Sequence, residues 1–126
     1  LENKPFLEYI EKLGKVLFDG IVQIIEKNKL NEYLNIQGYP AKSVINFGND
    51  GYNGLLLKSV FQQETIAKGI LCGGYHVVTY GHTIEDIDKS LAVYSEVFFL
   101  IKKAIKEKSL VKILNGDIVK PVFRKA

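Results

Sequence analysis

The sequence has no methionine and no tryptophan, one cysteine and one arginine among its 126 residues. Each scarcity excludes something. A lone cysteine, Cys72, cannot close an internal disulfide, and this fits a reducing compartment such as the cytoplasm. Without a methionine, Leu1 does not read as a translation start, and more chain is expected upstream. With Arg124 the only arginine, the net charge of +3 rests on lysines, which are mobile and strongly hydrated point charges. Nucleic-acid binding calls for a basic face interleaved with arginines or aromatics, and none is legible. No apolar run approaches the roughly 18 residues of a membrane span. The first residues also lack the basic start and continuous apolar block of a signal peptide. What is present is ordinary: 47% hydrophobic and 25% charged residues, enough for a single domain over 1–126 with one core.

Helical periodicity dominates the two ends. Phe6, Ile10, Leu13, Leu17, Ile21, Ile24 and Ile25 recur at three- and four-residue steps and predict a helix over 5–29, with Pro5 in its first turn. Gly14 and Gly20 each weaken that helix by about 1 kcal/mol relative to alanine and are candidates for close packing. A second helix is expected over 53–68, with Gly69 as a left-handed cap. A third starts after Thr83, an N-cap with Asp86 three residues on, as a capping box requires. Its stripe of Ile84, Ile87, Leu91, Tyr94, Phe98, Ile101 and Ile105 reads as core rather than as a partner face. Lys102, Lys103, Lys106 and Lys108 near its end oppose the helix dipole.

Between the helices lie short extended segments. Leu34 to Tyr39 and Ser43 to Phe47 flank a turn at Pro40, and "GNDGYNG" over 48–54 reads as a loop leading into a helix. "ILCGGYHVVTY", 70–80, reads as a strand interrupted by Gly73 and Gly74, and the tail from Leu114 as a turn with an extended end. The order is helix, strand, strand, helix, strand, helix, tail. It predicts an α+β fold: a small, mostly antiparallel sheet of three to four strands with helices packed on one face.

The segment "GILCGGYHVVTYGHT", 69–83, gathers the residues that could do chemistry. Cys72, His76 and His82 are the types that ligate zinc. On a strand, however, Cys72 and His76 stand about 13 Å apart, whereas zinc ligands converge to within about 2.3 Å of one ion. No metal site is therefore expected. Cys72 has apolar neighbours and no cue for a lowered pKa, so it reads as inert. The glycines of "GNDGYNG" lack the spacing and lysine of a phosphate loop. That leaves Gly73, Gly74, Tyr75 and His76, where paired glycines mark a bulge or a close backbone approach. Two readings stay open there: a strand bulge at an edge, or the lip of a ligand pocket.

"GYPAKSVINFG", then "NGLLLKSVFQQETIAKGILCGGYHVVTYGHTIEDIDKSL", then "VKPVFR" resemble the C-terminal small domain of class III pyridoxal-phosphate-dependent aminotransferases, in particular those like glutamate-1-semialdehyde aminomutase. The resemblance runs from about residue 5 to residue 124. It implies a cytoplasmic homodimer in which a large domain holds pyridoxal 5'-phosphate (PLP) and the Schiff-base lysine, while the small domain closes the pocket over an amine or amino-acid substrate. Nothing here matches the large domain, so the chain alone is expected to be catalytically silent, with no catalytic residue and no bound cofactor of its own. Its partners would be its own large domain and a second subunit. By the resemblance, Tyr75 and His76 face the substrate side and act by hydrogen bonding or shape. Many family members grip a carboxylate with a small-domain arginine; position 46 here is asparagine. The alternative is a free-standing α+β module that binds a small ligand or regulates a partner, with the Gly73-Gly74 bulge lining its site.

Overall fold

The computed structural model describes residues 4–39, 41–48, 54–70, 74–78 and 82–113, with backbone alone for 4–7, 75 and 77. Helix α1 (Lys4–Lys27) leads into strands β1 (Leu34–Tyr39) and β2 (Lys42–Phe47), helix α2 (Gly54–Ala67), strand β3 (Tyr75–Val77) and helices α3 (Ile84–Glu107) and α4 (Leu110–Ile113). Among the described residues the three strands form one sheet in the order β1-β2-β3, and both pairings are antiparallel. The architecture is α+β with helices packed against a small sheet, as the sequence implies.

Each long helix ends in the same way, although the sequence marks only one of the ends. After α2, Gly69 adopts a left-handed φ of 92°, its N–H donates to Ile66 O, and Ile70 N–H donates to Thr65 O. Lys29 after α1 and Lys108 after α3 take the same left-handed turn, at φ 56° and 57°. In both, the next residue reaches back five positions: Leu30 N–H to Ile25 O and Ser109 N–H to Ala104 O. The α3 end has a physical consequence. The chain turns at Lys108 and resumes as α4, a short helix that the sequence reading leaves unassigned.

The core joins all the layers. Leu13, Leu17, Ile21 and Ile25 of α1 are buried, as the four-residue steps predict, and meet Ile87, Tyr94, Val97, Phe98 and Ile101 of α3. α1 and α3 approach closely at Gly20. A Cβ built there would stand 2.7 Å from both methyl groups of Leu91, so the missing side chain is what lets Leu91 seat against α1. Phe61 of α2 is fully buried at the centre of an aromatic group, with ring centroids 5.2 Å from Phe47, 5.5 Å from Tyr94 and 5.6 Å from Phe98. In the α3 stripe, Ile84 departs from the expectation: it sits 47% exposed in the first turn.

Candidate functional site

β3 is short, and its position is fixed at both ends by backbone bonds to its neighbour. Ile45 N–H donates to Gly74 O at 2.8 Å, and Val78 N–H donates to Ala41 O at 2.9 Å. Gly74 has φ 92°, a left-handed value that side chains rarely adopt. It is also buried: a Cβ there would touch Ile45, Phe61 and Phe47 at 3.5–3.7 Å. The second glycine of the pair thus has a conformational reason. Gly73 and Cys72 lie outside the described residues. Tyr75 pairs with Val44 through the backbone, and its side chain is not described.

His76 is only 7% exposed. Its Nδ1 lies 3.2 Å from Ser43 Oγ and its Nε2 lies 2.7 Å from the Tyr94 hydroxyl. A neutral imidazole donates from one nitrogen and accepts at the other, and a hydroxyl can take either part, so the neutral ring satisfies both contacts. Burial lowers its pKa from 6.5 to about 4. The cause is desolvation, because a charged ring inside the core has lost its water. The imidazole stands edge-on to the Tyr94 ring, with centroids 5.5 Å apart. A proton acceptor so enclosed is poor acid–base equipment and a good structural tie.

His82 is half-buried just ahead of α3, and its carbonyl accepts a 2.6 Å hydrogen bond from the Tyr9 hydroxyl. Thr83 then caps α3 as its sequence predicts. The Thr83 N–H donates to Asp86 Oδ2 at 2.8 Å, and Asp86 N–H returns to Thr83 Oγ1 at 3.2 Å. The carboxylate accepts from the Thr83 N–H and, at 3.1 Å, from the Thr83 hydroxyl, and these two bonds, in that order, hold the Asp86 carboxyl below its usual pKa. Among the described residues no three His, Cys, Asp or Glu side chains gather as a metal site would require.

Two residues of this arrangement escaped the sequence reading. Ser43 occupies the same buried face of β2 as Ile45, a polar side chain at an inward period-two position. Tyr94 sits in the middle of the α3 stripe, where its hydroxyl needs a partner once buried. Both carried a signal, but neither signal pointed to His76.

A cleft of about 460 Å³ opens where the end of β2 meets the start of α2. It is lined by Val44, Ile45, Asn46, Phe47, Gly48, Gly54, Leu55 and Lys58. The Asn46 side-chain N–H donates to Asn35 Oδ1 across the hairpin at 3.3 Å. Among the described residues, one ammonium and one amide are therefore the polar side chains of this cleft. On the other side of the molecule, a groove of about 440 Å³ follows the α1–α3 seam past Gly20, Lys27, Asp88 and Leu91. No helix is long and apolar enough to cross a membrane among the described residues.

No family model and no curated protein matches the chain. Its fold is similar to part of a solved structure, the PLP internal aldimine form of the FumI protein from Sphingopyxis sp. MTA144. The TM-score is 0.67 at 18% identity, over 81% of this chain. The match covers 24% of the FumI chain, so this chain spans about a quarter of that protein's length. The likeness establishes a fold related to that of one part of a PLP enzyme. PLP itself needs a lysine amine and a partner for its pyridine nitrogen, commonly an acid. Among the described residues the β2–α2 cleft offers Lys58 and Asn46 without a carboxylate, and that set by itself does not fit the cofactor.

Proposed function

We propose that the chain is the substrate-closing C-terminal domain of a PLP-dependent aminotransferase or 2,1-aminomutase of the class III kind, similar to glutamate-1-semialdehyde aminomutase. The observation that carries this reading is the likeness in fold to one quarter of a PLP-bound protein. The order of the motifs between Gly38 and Leu91 supports it. In the full enzyme, a cytoplasmic homodimer, PLP bound by a large domain would supply the electron sink for amino-group transfer. This chain's part is shape and exclusion of water. The strand around Gly73, Gly74, Tyr75 and His76 forms the lip of the pocket. The left-handed turn at Gly74 sets its backbone, and the inward-turned ring of His76 contributes position rather than proton transfer. With Asn46 in place of an arginine, the domain brings no bidentate clamp for a carboxylate. An amine, or an amino acid gripped by the large domain, suits it better.

The test is made on the complete polypeptide as its gene encodes it. It should purify with PLP, seen as visible absorbance that borohydride removes. It should also pass an amino group between an amine and a 2-oxo acid, or move one within a substrate. A complete polypeptide that neither binds PLP nor moves amino groups contradicts the reading. The β2–α2 cleft gives a second reading a specific footing: a self-contained module whose small ligand enters that cleft. Thermal-shift screening of the 126-residue chain separates the two, since a ligand that stabilises the isolated chain favours the module.

A further inference from the structure

β3 has three residues and a neighbour on one side only among the described residues. A strand so short and so placed gains little from its ladder. Val78 at its end packs into the core, and His76 reaches inward to two different elements, β2 through Ser43 and α3 through Tyr94. The Tyr94 ring is itself fixed between Phe61 of α2 and Phe98 of α3, at centroid distances of 5.5 Å and 6.1 Å. We propose that His76 is a latch that couples β3 to α3, so that the backbone at Gly74 and Tyr75 keeps its place only while the Ser43–His76–Tyr94 bridge is closed. The functional meaning of the latch, holding the lip of a substrate pocket, rests on the reading proposed above.

The bridge has a built-in release. Among the described residues, the groups facing the imidazole are the Ser43 hydroxyl from β2, the Tyr94 phenol from α3 and, through Tyr94, the Phe61 ring from α2. Burial is the one cause of its lowered proton affinity, with no contribution from a carboxylate or an ammonium. A proton taken up by the closed latch is thus an uncompensated buried charge. With β3 open, the ring returns to water and titrates near its ordinary value. Opening is therefore favoured as pH falls from 6.5 toward 4, by up to about tenfold per pH unit.

Residue-resolved amide hydrogen exchange of this chain, corrected for intrinsic rates, tests the latch. The reporters are the Ile45 and Val78 amides, which bond Gly74 O and Ala41 O, and Ile21 in α1 is the control. In the wild type at pH 7, Ile45 and Val78 should open more often than Ile21, which waits for global unfolding, and their opening should rise roughly 20-fold from pH 7 to pH 5. Tyr94→Phe, which keeps the ring and removes the hydroxyl, should raise opening at both reporters about tenfold and leave them more open than Ile21. His76→Phe should abolish the pH response. If Tyr94→Phe does not fold, Ser43→Ala makes the same comparison from the β2 side. Equal opening at Ile21 and the reporters at pH 7, or no acceleration at the reporters, overturns the latch. No substrate or cofactor enters this experiment, so its failure is distinct from failure of the aminotransferase reading.

Discussion

His76 is the residue at which local chemistry reaches furthest. Its pKa is about 4 in the folded protein and near 6.5 when the ring is in water. The unfolded chain therefore takes up the proton first as pH falls. Stability from the neutral buried ring is complete above pH 6.5, declines as pH drops from 6.5 to 4, and below that is lower by about 3 kcal/mol. Urea unfolding should show a loss of about 2 kcal/mol between pH 7 and pH 5, a window in which ordinary carboxylates hardly titrate. His76→Phe should start from lower stability and lose much less over the same window. Gly20 makes a second residue-scale prediction. Alanine there gains about 1 kcal/mol in helix propensity but meets the Leu91 methyl groups, so the two effects oppose each other. In the Leu91→Ala background the clash is gone, and Gly20→Ala should stabilise more than in the wild type by about 1 kcal/mol. A double-mutant cycle by urea unfolding reads the difference directly, and additivity would contradict the close approach of α1 and α3.

At the scale of elements, α3 shows what a sequence specifies locally. Thr83 and Asp86 lie three residues apart and form both halves of the capping box. Thr83→Ala should cost about 1 kcal/mol in urea unfolding. It should also let the Asp86 carboxyl rise toward its ordinary pKa in an NMR titration, because Thr83 supplies the two leading causes of its depression. In the wild type that depression contributes stability above the ordinary carboxylate range, and the contribution is lost as pH falls through the lowered pKa. The helix ends were legible where the residue type announces them. Gly69 does so; Lys29 and Lys108 do not, since a left-handed lysine carries no compositional mark. For that reason the sequence reading carried the first helix two residues too far and passed over α4. β1 was readable to the residue from alternation and turn chemistry, because hairpin register depends on neighbours close in the chain.

Across the whole molecule, what the sequence left illegible is contact between distant segments. That His76 needs a polar partner followed from its type. That the partners are Ser43, 33 positions away, and Tyr94, 18 positions away, follows from β3 crossing over the aromatic core. The α+β class was readable from the order of periodicities. The likeness to a quarter of the FumI chain shows that a related fold occurs as one part of a larger PLP-bound protein. The central claim, that this chain closes a substrate pocket built by a larger partner domain, is tested most directly by reading the coding sequence upstream of the Leu1 codon. The account predicts that the frame stays open into a large α/β domain carrying a lysine placed to hold PLP. A start codon within a few residues of Leu1 would contradict it.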